Sequence, residues 1–113
     1  MLTNSEMLEI AKKYLRKING SEEDKLVVIS QLTVEKPYGN VYSYNFQKFI
    51  ETGNRKYSVA TGIPFLVEKE TGRVVNFSSS GHLESHLKDY ENGTMSESLD
   101  LYWYPDEDRY DYK

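Results

Sequence analysis

The sequence predicts an α+β fold: an N-terminal helix, a four-stranded antiparallel meander sheet and a short C-terminal helix. Three observations carry this. Apolar residues recur at helical spacing near the N-terminus. Alternating and β-branched runs separated by Gly and Pro turns fill the middle. A second helical pattern with a glycine stop follows them. At 113 residues the chain is long enough for one modest core and one domain. We read residues 1–93 as a single α+β domain and residues 94–113 as an acidic, aromatic C-terminal extension.

The first helix is expected over residues 4–18. Met7, Ala11, Tyr14, Leu15 and Ile18 fall on one face, and Lys12, Lys13, Arg16 and Lys17 fill the other. Thr3 followed by Glu6 has the form of a capping box, and Asn19-Gly20 reads as a left-handed stop. Residues 26–34, LVVISQLTV, read as a strand with Leu26, Val28, Leu32 and Val34 on one face. Pro37, Tyr38, Gly39 and Asn40 make a turn. A second strand is expected over residues 41–50, ending at Thr52-Gly53-Asn54.

A third extended segment, residues 57–69, is broken at Gly62-Ile63-Pro64, because proline cannot donate to a ladder. Glu70-Thr71-Gly72 is a tight hairpin turn into a fourth strand over residues 73–78. Ser78, Ser79, Ser80 and Gly81 read as a helix entry. Leu83, Leu87 and Tyr90 then line a short helix that stops at Asn92-Gly93. Beyond it, Leu99, Leu101 and Trp103 alternate, which predicts either one more strand or a loose end.

Charge is uneven along the chain. Residues 1–93 hold 12 Lys/Arg and 12 Asp/Glu, so the net charge of −4 lies wholly in the last twenty residues. With no clustered basic face, nucleic acid is disfavoured as a partner. The longest apolar run, Leu26-Val27-Val28-Ile29, is far short of the ~18 residues a membrane span needs. The N-terminus lacks a basic region before an apolar block, so no signal peptide is expected. The absence of cysteine rules out disulfide and thiolate chemistry and is compatible with a reducing cytoplasm.

Tyr38, Tyr42, Tyr44, Phe46 and Phe49 crowd into a dozen residues. Tyr42, Tyr44 and Phe46 at period two are the pattern of a strand facing its core. A base-stacking platform would need flanking Lys and Arg, and only Lys36 and Lys48 are near. The segment EKPYGNVYSYNFQKFIETG, then ATGIPFLVEKETGRV, then LESHLKDYENG resembles the immunity protein 35 family of bacterial polymorphic toxin systems. That family's pattern is an E-x-P-Y-G turn into an aromatic strand, then E-T-G, then an A-G-N-x-P segment. A D/E-x-x-T-G hairpin and a helix ending in Y-E complete it. Matching positions are Glu35, Pro37, Tyr38, Gly39, Val41, Tyr42, Tyr44, Glu51, Thr52, Gly53, Ala60, Pro64, Val67, Thr71, Gly72, Tyr90 and Glu91. Asn40 stands where the family usually has Trp, and Thr61-Gly62 replaces Gly-Asn. Both departures are read as lying in turns or bulges. The resemblance covers residues 5–93 and implies a cytoplasmic, non-enzymatic immunity protein that binds and inhibits a cognate toxin domain, with no cofactor.

No residue pattern points to catalysis. His82 and His86 have the i,i+4 spacing of helical metal ligands, but Glu84 between them projects the other way. The three serines lack a nucleophile elbow. Asp106, Glu107 and Asp108 lack the spacing of a calcium loop. Tyr102, Trp103 and Tyr104 are the residue types of interface anchors. With Asp106, Glu107 and Asp108 they form the candidate partner-binding set. The bland alternative is that Leu101 and Trp103 pack inward as a fifth strand. The two readings agree if Trp103 docks inward while Tyr102, Tyr104 and the acids face out. The expected partner is a cognate toxin protein, with no nucleic acid and no membrane. The protein itself is expected as a monomer or weak homodimer. A chaperone-like or adaptor role in protein binding is the alternative.

Overall fold

A computed structural model describes residues 1–19, 24–58, 63–77, 82–95 and 98–112. Helix α1, Asn4–Ile18, occupies the expected span. Thr3 Oγ accepts from the Glu6 amide at 3.1 Å, and Glu6 Oε1 accepts from the Thr3 amide at 3.0 Å, which closes the capping box. Asn19 is extended, with φ −72° and ψ 107°, and Gly20 lies outside the described residues.

The expected first strand is broken into β1, Leu26–Val28, a 3-10 turn at Ser30–Leu32, and β2, Val34–Lys36. The second is broken likewise into β3, Gly39–Tyr42, and β4, Tyr44–Phe46. The register explains why. Val28 faces Tyr44 and Val34 faces Val41, so residues 29–33 on one arm oppose only Tyr42 and Ser43 on the other. The surplus is taken up by the 3-10 turn, which leaves Leu32 54 % exposed. The ribbon bends there into a separate two-stranded sheet, β1-β4.

Residues 47–50 do not continue the strand. They begin helix α2, Gln47–Thr52, which ends on Gly53 at φ 69° with its amide on the Phe49 carbonyl. Arg55–Tyr57 is a further 3-10 turn. Among the described residues the third strand is β5, Phe65–Glu68, immediately after Pro64. Residues 59–62, which include Ala60 and Thr61-Gly62, lie outside the described residues. β6 spans Val74–Asn76. The serine and glycine entry at residues 78–81 also lies outside the described residues. Helix α3, Leu83–Asn92, stops on Gly93 at φ 71°.

The extension after α3 supplies two strands, β7, Tyr102–Tyr104, and β8, Arg109–Asp111. The main sheet runs β2-β3-β5-β6-β7-β8 with every pair antiparallel. Its first four strands are the expected meander, and the fold is α+β.

Helices cover this sheet on both faces. On one, Met7, Ala11, Tyr14 and Leu15 of α1 pack on Tyr42, Phe65, Val67, Val74 and Trp103. On the other, Leu87 of α3 packs with Val41, Leu66, Val75, Phe77 and Leu101. Hence β3 and β5 are buried at every residue rather than alternately. Tyr42 and Tyr44 both pack against the Phe65 ring, at 6.1 and 5.8 Å. The tyrosine-rich middle is scaffold.

Asn40 is not in the turn. It is a buried β3 residue whose amide nitrogen reaches Asn4 Oδ1 and the Tyr42 hydroxyl, each at 3.2 Å. Its neighbour Gly39 is required by close approach: a Cβ there would lie 2.2 Å from the Val67 carbonyl oxygen.

Candidate functional site

Two turns and one helix end converge on the α3 face of the sheet. The two-residue turn Pro37-Tyr38 joins β2 to β3, with Lys36 opposite Gly39. The Glu70-Thr71-Gly72 turn joins β5 to β6, and Gly72 adopts φ 74°. Tyr90 and Glu91 come from the last turn of α3.

At the centre lies Glu68, whose side chain is 9 % exposed. Its carboxylate accepts from Arg73 Nε at 2.7 Å and Nη2 at 2.9 Å, a bidentate pair. The Thr71 hydroxyl donates to it at 2.8 Å and the Tyr90 hydroxyl at 2.5 Å. Burial by itself would raise the Glu68 pKa, but the donors Arg73, Tyr90 and Thr71 outweigh it and hold the carboxyl below its ordinary value. Burial, and then the bond to that carboxylate, push the Tyr90 phenol up. Beside it, the Tyr38 hydroxyl donates to Glu91 Oε2 at 2.5 Å, and the Tyr38 and Tyr90 rings lie 5.0 Å apart.

This cluster holds structure. Glu68 is ionised and meets four donors, so it is a poor general base. Tyr90 and Tyr38 are held protonated, and among the described residues no activated nucleophile stands beside them. Its effect is to pin the β5-β6 hairpin and the β2-β3 turn to the end of α3.

The cluster runs without a break into the C-terminal hairpin. The Arg73 guanidinium stacks 3.8 Å from the Tyr102 ring centroid, and Nη1 reaches the Tyr104 hydroxyl at 3.4 Å. The Arg109 guanidinium lies 4.4 Å over the other end, the Tyr104 ring. Tyr38, Tyr90, Arg73, Tyr102, Tyr104 and Arg109 thus form one half-exposed strip across the sheet. A cleft of about 460 Å³ opens at its Tyr38 end, floored by Glu68, Arg73 and Tyr90.

The sequence-derived set is split between the two faces. Trp103 is 1 % exposed and sits in the α1 core, 5.2 Å from the Tyr14 ring. Tyr102 and Tyr104 project to the opposite face. Asp106, Glu107 and Asp108 form the exposed β7-β8 turn. Two of these acids are engaged. Asp108 takes Lys17 at 2.8 Å and the Trp103 indole N–H at 3.0 Å, and Glu107 takes Arg109 at 3.0 Å. The tail is therefore less strongly negative locally than its count of acids implies.

His82 is the exposed residue preceding α3, whereas His86 stacks on Phe77 at 5.6 Å. Among the described residues no group of three or more His, Cys, Asp or Glu is placed to hold a metal. Sequence reasoning missed Glu68 and Arg73. Their signal was the E-x-x-T-G-R hairpin, in which a two-residue lead-in and a tight turn return the guanidinium to the carboxylate.

The profile of the Immunity protein 35 family matches residues 5–93. The chain belongs to the immunity protein 35 family. The match ends one residue past α3, so the family span supplies Tyr38, Glu68, Arg73 and Tyr90, while β7 and β8 lie beyond it. Among curated proteins the chain is similar to the uncharacterized protein YrhB of Escherichia coli (strain K12). The two are 26 % identical over 91 residues, covering 80 % of this chain and 90 % of that protein. No solved structure matches. Among the described residues no helix is long and apolar enough to cross a membrane.

Proposed function

We propose that this protein is a non-enzymatic, cytoplasmic immunity protein that binds the catalytic domain of a cognate bacterial toxin and blocks it. Membership of the immunity protein 35 family is the observation that carries this reading. The saturated state of the Glu68 cluster supports it, since the most perturbed ionisable groups on the surface are spent on each other.

The contact surface in this proposal is the strip on the α3 face together with the β7-β8 turn. Tyr102, Tyr104, Asp106, Glu107 and Asp108 contribute directly. Trp103 acts from beneath, fixing the turn through its bond to Asp108. Rigid, half-buried tyrosines and arginine lose little entropy on binding and are typical anchors. A standard interface of about 800 Å² per partner would cover the strip and the turn.

Co-expression with a polymorphic toxin domain from the same genome tests this. The wild-type protein should restore growth and co-purify with the toxin one-to-one. The Asp106→Lys, Glu107→Lys double variant should weaken capture at least tenfold without lowering the melting temperature. Undiminished capture by the variant would remove the turn from the interface, and failure with every such toxin would remove the function.

A further inference from the structure

Among the described residues the main sheet has two end strands, β2 and β8, each hydrogen-bonded on one side only in the strand order. An end strand offers a row of backbone donors and acceptors to another chain. The two differ in what they would present to a copy of themselves.

β8 reads Arg109-Tyr110-Asp111. Antiparallel pairing about a two-fold axis at Tyr110 sets Arg109 opposite Asp111 of the second copy, Asp111 opposite its Arg109, and Tyr110 opposite Tyr110. Directly opposed residues share a face, so both charge pairs form on the α3 side and the tyrosine pair on the α1 side. Tyr110 is 37 % exposed, with Lys17 Nζ 5.4 Å over its ring and its hydroxyl 3.5 Å from that of Tyr14. Arg109 already lies 2.9 Å from Asp111 and 3.0 Å from Glu107 of its own chain, so the second copy would extend an existing charge row rather than desolvate isolated ions.

β2 reads Val34-Glu35-Lys36. The same operation would set Glu35 against Glu35. A mixed β8-to-β2 pairing in antiparallel register would set Arg109 against Lys36. Both place like charges opposite one another. The edges therefore favour a closed pair over an open fibre.

We propose that β8 is a self-complementary docking edge and that its occupant is a second copy of this chain. Pairing would join two six-stranded sheets into one of twelve strands, with the two tyrosine strips on a common face. Three-residue edges bury little surface, so the dimer is weak and forms at high protein concentration.

Sedimentation velocity over a concentration series tests this. The wild-type protein should show reversible dimerisation. Arg109→Asp alone gives an edge with two acids, and Asp111→Arg alone gives an edge with two bases. Each should associate at least tenfold more weakly than wild type. Mixing the two variants one-to-one should restore dimers, because their edges complement each other. Circular dichroism and melting temperature check that both fold. A wild-type protein that stays monomeric throughout would overturn the proposal, as would a dimer that both variants form equally well. Variants that fail to recombine on mixing would also overturn it.

Discussion

Glu68 shows how one residue ties distant segments together. It is held by Arg73 five positions away, by Thr71 in the intervening turn, and by Tyr90 from a helix on another layer. Because its folded pKa lies below the ordinary 4.5, its stabilisation is complete above that value. It is lost as the pH falls below 4.5 and through the folded pKa. Glu68→Gln should cost about 2 kcal/mol at neutral pH, less than for a fully buried pair because Arg73 is 23 % exposed. The variant should also lose less stability than wild type between neutral pH and acid. Urea titrations at pH 7 and pH 4 measure both, and parallel pH profiles for the two proteins would show that Glu68 is not the group concerned. Tyr38, Thr71, Tyr90 and Glu91 were visible in the sequence in separate motifs, whereas Glu68 and Arg73 were not singled out. Their convergence was not visible, because Glu68 and Tyr90 meet across 22 positions with no local pattern to announce it.

At the scale of elements, the long periodic segment was the legible one. α1 follows from its apolar stripe and its cap, both of which are local. The strands were harder, since each holds only three or four residues and its limits depend on which partner it finds. The break near Ser30 and Ser43 arises from a mismatch between two arms of one ribbon, which neither arm reveals alone. α2 had a readable signal: Gln47 and Glu51 at i,i+4, bonded at 2.9 Å, and the glycine stop at Gly53. Alternating aromatics just before it concealed that signal.

The C-terminal hairpin carries an element-scale prediction. Trp103 fills the space between α1 and the sheet, and Lys13 Nζ donates to the Pro105 carbonyl at 2.9 Å. Trp103→Ala should therefore cost about 3–5 kcal/mol. Removing residues 94–113 should abolish cooperative unfolding, because the edge of β6 and the side of Tyr14 would both be uncovered. A truncated chain with an unchanged urea midpoint would show that the hairpin is an appendage.

For the whole molecule, the layered arrangement separates two tasks. The α1 face is closed by Tyr14, Phe65 and Trp103 and supplies stability. The α3 face carries the half-exposed strip whose polar tips are fixed by one another. Surface fit, with no bond made or broken, is the claim on which the proposed function turns. Titrating the cognate toxin domain with this protein, at toxin concentrations well above the dissociation constant, addresses it most directly. Toxin activity should fall linearly to zero at one equivalent, with an endpoint that does not move with incubation time. Complete inactivation by a small fraction of an equivalent, deepening with time, would contradict it and mark the protein as an enzyme acting on its partner.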